Sequence, residues 1–363
     1  MILAGGEGTR LRPLTSNVPK PIVRLVDRPF ISFMLEWLRG HGVDDVILSC
    51  GFMADRVRGV LGDGSGLGLR LRYVEEPEPR GTAGAVKLAE PMLAERFLML
   101  NGDVLTDIDL GAQIAQHEAT GARATLALVA VTDPSAYGLV VLDERRAVTD
   151  FVEKPSSGGL PSNLISAGAY VLEREILELV APDRKVSIEG EIWPLLVGDG
   201  LYGFPSDSYW MDIGTPGRYL HGTFDILEGN VESGVREHLG EHWLAIDDGA
   251  SVRGRAIPPA LIGSGCEVAE GARVGSLVVL GRDVSVGAGS SVERAVVLDG
   301  ARIGAGCELR DCIICPGAVV GDATKVTAGA VLGEGVRIGS DNVITRGARI
   351  FPGVDLPDGA IEF

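Results

Sequence analysis

The sequence predicts an α/β chain in two parts, an open-sheet domain followed by a left-handed parallel β-helix of hexapeptide repeats. Three observations predict it. Strand-like and helix-like stretches alternate through residues 1–230. From residue 246 onward an aliphatic residue recurs at every sixth position. The first apolar strand also runs directly into a glycine-rich loop, where open α/β sheets bind ligands. The division that follows is a catalytic-type domain over 1–230, a linker over 231–245 and a repeat domain over 246–363.

Taken in order, Ile2-Leu3 reads as a short strand and Phe30, Phe33, Met34, Trp37 and Leu38 recur at helical spacing. Val43 to Cys50 reads as a strand, Ala54 to Leu61 as a helix, Leu69 to Val74 as a strand and Ala83 to Leu93 as a helix. Phe97 to Leu100 is a buried-type strand that ends in Asn101-Gly102-Asp103, and Leu139 to Val152 reads as strands. A helix from Pro216 to Leu227 closes the domain. In the second part the repeat runs Ile262, Val268, Val274, Leu280, Val286, Val292 and Leu298. Its phase slips by one to Ile303, Leu309 and Cys315, and again to Val320, Val326, Leu332, Ile338, Ile344 and Ile350. Each coil of such a helix buries one inward stripe, and Pro258-Pro259 is expected to interrupt the first coil.

Composition narrows the chemistry. The net charge of −17 and the isoelectric point near 4.8 repel nucleic acid and anionic membranes, so neither is expected as a partner. Any phosphate site must therefore gather its positive charge locally. No apolar run reaches the ~18 residues of a membrane span, and no leader of basic then apolar residues opens the chain. The five cysteines, Cys50, Cys266, Cys307, Cys312 and Cys315, form no disulfide framework. Cys312 and Cys315 fall in an apolar β pattern, where buried thiols are expected rather than a redox or zinc pair. A reducing cytoplasm is the expected compartment.

Residues 3–21 carry the densest chemical information. Leu3-Ala4-Gly5-Gly6-Glu7-Gly8-Thr9-Arg10-Leu11-Arg12-Pro13 is followed by Pro19-Lys20-Pro21. Few Cβ atoms let backbone N–H groups approach phosphate oxygens, and Arg10, Arg12 and Lys20 supply charge for polyphosphate. Neither G-x-x-x-x-G-K-[ST] nor G-x-G-x-x-G is present, so this is a nucleotide loop of a third kind. Asp103 ends an apolar strand, where a carboxylate suits magnesium or, equally, a turn or helix cap. Asp212, in Trp210-Met211-Asp212-Ile213-Gly214, has the same two readings. Lys154, one of only five lysines, lies between Glu153 and Pro155 and either serves the site or pairs with Glu153 on the surface. Gly81-Thr82-Ala83-Gly84 either meets a ribose or base or simply starts a helix.

Together these motifs resemble the sugar-1-phosphate nucleotidyltransferase family, the nucleotide-sugar pyrophosphorylases. They occur in the family's order across nearly all of the first domain, and the hexapeptide tail matches its longer members. The resemblance implies a Rossmann-like nucleotidyltransferase domain and the reaction of an NTP with a sugar 1-phosphate to give an NDP-sugar and pyrophosphate. It implies that Arg10 and Lys20 hold the triphosphate and that Lys154 holds the sugar phosphate. By the same resemblance Asp103 and Asp212 hold Mg2+. Leu3, Ala4, Gly5, Gly6, Gly8, Thr9, Gly81, Thr82, Asn101 and Gly102 surround the nucleotide. Glu153, Gly138 and Ser166 line the sugar site, with Ala167 and Gly168 beside them. Ser187-Ile188-Glu189, the Trp-Met-Asp-Ile-Gly run and the tail length favour the branch that uses GTP and mannose 1-phosphate. Thymidylyltransferases and heptose-phosphate guanylyltransferases are the alternatives. A homo-oligomer is expected, because hexapeptide domains often join subunits. Three departures stand out: the family usually has two or three more residues before the first strand, so at Met1 either that strand is short or the start is truncated; Ser166 stands where many relatives have asparagine; and Arg80 precedes Gly81 where an apolar residue is common.

Two other classes compete. Hexapeptide β-helices often host acyltransferases, which need a histidine base. The five histidines are His41, His117, His221, His238 and His242, all before the repeats, so the tail is expected to serve assembly, stability or regulation. A non-catalytic sensor of nucleotide sugars would be expected to lack the charged positions. Arg10, Lys20, Asp103, Lys154 and Asp212 are all present, which favours an enzyme.

Overall fold

The computed structural model describes residues 1–153 and 161–361. The chain divides into two compact units: Met1–Glu7 with Ile31–Met211, and Gly8–Phe30 with Asp212–Phe363. The second unit thus takes a segment from near the start of the chain as well as the repeats.

The first unit is built on a sheet of nine strands. These are β1 (Ile2–Leu3), β2 (Asp45–Cys50), β3 (Arg70–Glu75), β4 (Arg96–Asn101), β5 (Ala124–Ala130), β6 (Gly138–Leu142), β7 (Val148–Glu153), β8 (Leu164–Glu173) and β9 (Leu201–Pro205). The main path runs β7-β6-β8-β4-β1-β2-β3, and β5 and β9 continue from β8. β1 lies between β2 and β4, parallel to both, and β2 is parallel to β3. β8 runs antiparallel to β4, β5 and β6. The carboxyl ends of four parallel strands therefore open on one edge, where residues 4–7, Gly51, Glu76 and Gly102–Asp103 follow them. Around the sheet stand α1 (Phe30–Gly40), α2 (Ala54–Leu61), α3 (Gly81–Leu88) and α4 (Leu110–Thr120). α3 starts two residues before the expected helix and stops well before Leu93. Pro91 has no N–H to continue it, and Glu90–Met92 forms a separate tight turn. One core packs Val86, Phe97, Met99, Leu126, Tyr170, Trp193 and neighbours beneath the sheet.

The second unit is the parallel β-helix that the repeat predicts. Leu261 pairs with Val279, Val279 with Val296, Val296 with Ile313, Ile313 with Val331 and Val331 with Arg349. Most coils are thus 18 residues long and two are 17. The short coils explain the phase slips, but each slip falls one repeat earlier than the sequence pattern suggests. Leu280, Val297, Ile314 and Leu332 are in register, and they join the interior cluster with Val286, Val292, Ile303, Leu309 and Val320. Leu298 and Cys315, read from the sequence as inward, lie outside that cluster although both are buried. The reason is local. In the short coils the corner shrinks to Glu293-Arg294 and Arg310-Asp311, where Arg294 and Asp311 both take φ 47°. The chain turns there with one residue fewer.

The outward stripe Leu261, Val279, Val296, Ile313 and Val331 is buried too. α5 (Pro216–Leu227) lies against this face of the same unit, with the Arg294 guanidinium 4.7 Å from the centre of the Phe224 ring. All five cysteines are free and buried. Burial pushes the Cys315 thiol up to about 12 and that of Cys312 higher still, so both stay protonated as packing residues.

Candidate active site

In the first unit, the expected nucleotide residues gather along the carboxyl edge of the sheet. The N–H of Ala4 donates to the carbonyl of Ser49 at 2.8 Å, which carries the loop off β1. Gly102 donates to the Leu3 carbonyl at 2.9 Å, and a Cβ at 102 would lie 2.6 Å from that oxygen. Gly81 has φ +70° and would bring a Cβ within 2.5 Å of the Val186 carbonyl. Only glycine fits there, and the close approach lets Ala83 N–H bond to that carbonyl at 3.0 Å. Thr82 is fixed twice: its hydroxyl donates to Glu189 at 2.7 Å and accepts from the N–H of Ile188 at 2.7 Å. Ser187 also donates to Glu189, at 3.0 Å.

The expected sugar residues are neighbours as well. Pairing of Ile165 with Leu139 sets Ser166 beside Gly138, and a Cβ on Gly138 would lie 3.1 Å from Glu153 Oε2. Ser166 Oγ is 3.0 Å from the hydroxyl of Tyr170. That phenol is pushed far above its usual range, by burial first and then by the charge of Glu189, with Glu153 and Asp103 adding to the effect. Glu189, Glu153 and Asp103 therefore all act on one buried hydroxyl. Asn101 packs against Gly168, whose φ is +76° and whose Cβ would lie 3.0 Å from Asn101 Nδ2. Trp210 donates to the Ala167 carbonyl at 2.8 Å and stacks edge-on to Tyr137 at 5.3 Å. Lys154, with Pro155, lies outside the described residues.

Gly8, Thr9, Arg10, Lys20 and Asp212 belong to the second unit. Gly8 has φ +63°, and a Cβ on it would lie 3.1 Å from the Cβ of Lys20. Its carbonyl accepts from Thr15 Oγ1 at 2.7 Å and from Leu11 N–H at 3.0 Å, which closes the Thr9–Leu11 turn. Lys20 is only 8% exposed, so its ammonium is held by the fold. Arg10 and Asp212 converge on Gly214, where a Cβ would lie 3.1 Å from Arg10 Nη2 and 3.2 Å from Asp212 Oδ2. Asp212 accepts from the guanidinium of Arg218 on α5.

Comparison with known proteins decides the family. The family described as Nucleotidyl transferase matches residues 1–229, more than half the chain. The chain belongs to the nucleotidyl transferase family. A second match, described as GMPPB C-terminal domain, covers residues 256–359 of this nucleotidyl transferase. The enzyme is 38% identical to the mannose-1-phosphate guanylyltransferase of Mycobacterium tuberculosis, over 100% of this chain and 97% of the other. It is 35% identical to a probable mannose-1-phosphate guanylyltransferase 1 of rice, Oryza sativa subsp. japonica, over 84% of this chain and 82% of the other. Among solved structures, HddC from Yersinia pseudotuberculosis matches with a TM-score of 0.55 at 31% identity, covering 62% of this chain and 97% of its own. HddC complexed with GMP-PN matches with a TM-score of 0.53 at 30% identity, with the same coverage.

Nucleotidyl transferases of this family use a divalent metal ion. Asp103 in the first unit and Asp212 in the second are each carboxylates, the hard oxygen donors that such an ion takes. Among the described residues of this nucleotidyl transferase, no helix is long and apolar enough to cross a membrane.

Two residues at these sites, Glu76 and Arg218, escaped the sequence reading, and a third, Glu189, was read without its partner. Glu76 follows β3, accepts from Ser49 Oγ at 2.7 Å, and would meet a Cβ on Gly5 at 2.9 Å. Its signal was available, since it is a carboxylate at the end of a parallel strand. Glu189 was legible as part of a branch motif, but its bond to Thr82 spans 107 residues of sequence and leaves no local trace. Arg218, the partner of Asp212, lies six residues on, in the first turn of α5.

Proposed function

We propose that the chain is a mannose-1-phosphate guanylyltransferase, transferring GMP from GTP to mannose 1-phosphate with release of pyrophosphate. Likeness along the full chain to an enzyme of that name carries the reading, and a solved relative complexed with GMP-PN supports the guanine nucleotide. A phosphate oxygen of mannose 1-phosphate attacks the α-phosphorus of GTP. The bond from that phosphorus to the β-phosphate bridging oxygen breaks, and its electron pair leaves on pyrophosphate. Both reactants are anions, so catalysis is positioning plus charge stabilisation.

Arg10 and Lys20 hold the triphosphate and the charge that builds on the leaving pyrophosphate. Leu3, Ala4, Gly5, Gly6, Gly8, Thr9, Gly81, Thr82, Asn101 and Gly102 form the nucleotide site, in which missing Cβ atoms let backbone amides and carbonyls approach. Glu153 takes sugar hydroxyls beside Gly138 and Ser166, and Lys154 takes the sugar phosphate. Asp103 and Asp212 are the proposed holders of Mg2+, which when bound neutralises phosphate charge and orients the reacting oxygens. Residues 1–230 carry the chemistry and 246–363 the β-helix, joined through 231–245, in a homo-oligomer that works in the cytoplasm, where GTP is supplied.

The test is a pyrophosphate-release assay crossing GTP, ATP, UTP and dTTP with mannose and glucose 1-phosphates. GTP with mannose 1-phosphate is expected to give the highest kcat/KM. Higher kcat/KM with dTTP and glucose 1-phosphate would reassign the enzyme as a thymidylyltransferase, and no release with any pair would overturn the reading.

A further inference from the structure

Within the second unit, the segment Gly8–Phe30 is tied to the β-helix at three places. Arg24 Nη1 donates to both carboxylate oxygens of Asp299, at 3.1 and 3.2 Å. Asn17 Nδ2 donates to Glu334 Oε2 at 2.9 Å. The third tie falls on the turn that bears Arg10. Arg349 Nη1 donates to the Arg10 carbonyl at 3.1 Å and to the Arg12 carbonyl at 3.2 Å.

The need for that third tie is written in the chain. In this stretch, carbonyls accept from the amide three residues on: Gly8 from Leu11, Thr9 from Arg12 and Leu11 from Leu14. By the same rule the Arg10 carbonyl would accept from residue 13, which is Pro13 and has no N–H. Arg349 supplies the missing donor from a rung of the helix, where it is held by pairing with Val331. A guanidinium nitrogen carries two N–H groups in a fixed plane, so one nitrogen can serve both carbonyls.

We infer that Arg349 is a positioning residue for nucleotide transfer: the β-helix, through Arg349, sets the backbone of the turn that presents Arg10 to the triphosphate. The inference rests on the proposed role of Arg10. It gives the tail a part in the reaction without a second active site. Both of these Arg349 bonds go to main-chain carbonyls.

The experiment compares the full-length wild type with Arg349→Met and Arg349→Lys. Arg349→Met is expected to raise KM for GTP, and for pyrophosphate in the reverse reaction, three- to tenfold, while KM for mannose 1-phosphate stays within twofold. Arg349→Lys, which keeps a charge and N–H donors, is expected to fall between. Equal rises in all KM values, or kinetics like those of the wild type, would overturn the inference while leaving the proposed activity intact. Amide hydrogen exchange over residues 8–16 gives a readout independent of activity. Arg349→Met is expected to speed it at least threefold, with exchange in the first-unit sheet unchanged. Equal exchange in the two proteins would overturn the inference. A wild type without pyrophosphate release would instead refute the proposed activity and leave the exchange comparison to decide the positioning.

Discussion

Gly81 shows how much one missing side chain can decide. Its φ of +70° lies where residues with a Cβ are strained, and the nearest atom to that Cβ would be a backbone oxygen, Val186 O, at 2.5 Å. A carbonyl in a bonded segment cannot swing away as a side chain can. Gly81→Ala is therefore expected to cost about 2–4 kcal/mol, combining left-handed strain with displacement of the Val186 carbonyl. Differential scanning calorimetry should show a melting temperature lower by several degrees, and an unchanged value would contradict the fit. Asp103 is a chemical counterpart at the same scale. It follows Gly102, whose own close approach to Leu3 fixes where the carboxylate begins. Asp103→Ala is expected to lower kcat/KM by at least about 100-fold, or about 3 kcal/mol, the scale of losing a central charge partner. Near-normal turnover would remove Asp103 from the metal role. Both residues were legible in the sequence, Asp103 because an apolar strand ending in Asn-Gly-Asp points its last carboxylate at a ligand edge. The atom that makes Gly81 indispensable was not, because Val186 comes from a distant stretch of chain.

At the scale of elements, legibility followed periodicity. α2 and α5 have the limits read from the sequence, and in α5 a Thr215 cap that accepts from the Arg218 N–H and a broad buried face leave little freedom. The β-helix was legible through its six-residue stripe, yet Val297 and Ile314 were passed over for Leu298 and Cys315. In each short coil two adjacent apolar residues compete for the inward position, and only the pairing of neighbouring coils decides between them. α4 and the long strand β8 went unread, and they share a buried polar group. His117 on α4 is fully buried, with Nδ1 2.8 Å from Thr125 Oγ1 on β5 and Nε2 3.1 Å from Glu173 Oε1 on β8. Burial lowers its pKa below the ordinary 6.5, and the positive charge of Arg96 acts the same way, against the bond to Glu173. The folded protein then holds its proton less well than the unfolded chain does. Stability from this site is complete above pH 6.5 and is lost as pH falls through the folded pKa. Urea unfolding followed from pH 8 to 5 should show a loss of stability below pH 6.5 that His117→Gln reduces. Glu173 is held below the usual glutamate range by Arg96 and His117, against its own partial burial, and so does not titrate in that window. Parallel pH profiles for the two proteins would refute the assignment.

For the whole molecule, the consequence of the fold is how it shares out its chain. The sequence suggests two domains placed end to end, whereas the contacts give Gly8–Phe30 to the unit that holds the repeats. That exchange was not legible, because its bonds join residues hundreds of positions apart: Arg24 with Asp299, Asn17 with Glu334, Arg349 with Arg10. Each is an ordinary polar residue in a turn or a two-residue strand. The tyrosine hydroxyl of Tyr219 adds a further bond, at 2.5 Å to the carbonyl of Arg24. A segment with few strands of its own should depend on these ties for its order more than the β-helix depends on the segment. Asp299→Ala removes the partner of Arg24 and also that of Arg282. The pair is partly exposed, so the change in global stability should stay within about 1 kcal/mol. Local opening of the segment should rise much more, and limited trypsin digestion reads it directly. Arg12, Lys20 and Arg28 precede prolines and resist cleavage, which leaves the bonds after Arg10 and Arg24 as the reporters. When reclosing outpaces cutting, the cleavage rate follows the open population. The bond after Arg24 is therefore expected to be cut several-fold faster in Asp299→Ala than in the wild type, with melting temperatures within about 2 °C. Equal cleavage in the two proteins would mean that the Arg24–Asp299 bond does not order the segment, which then rests on its remaining ties and on the apolar packing of Leu11, Leu14, Leu25 and Val26, all buried.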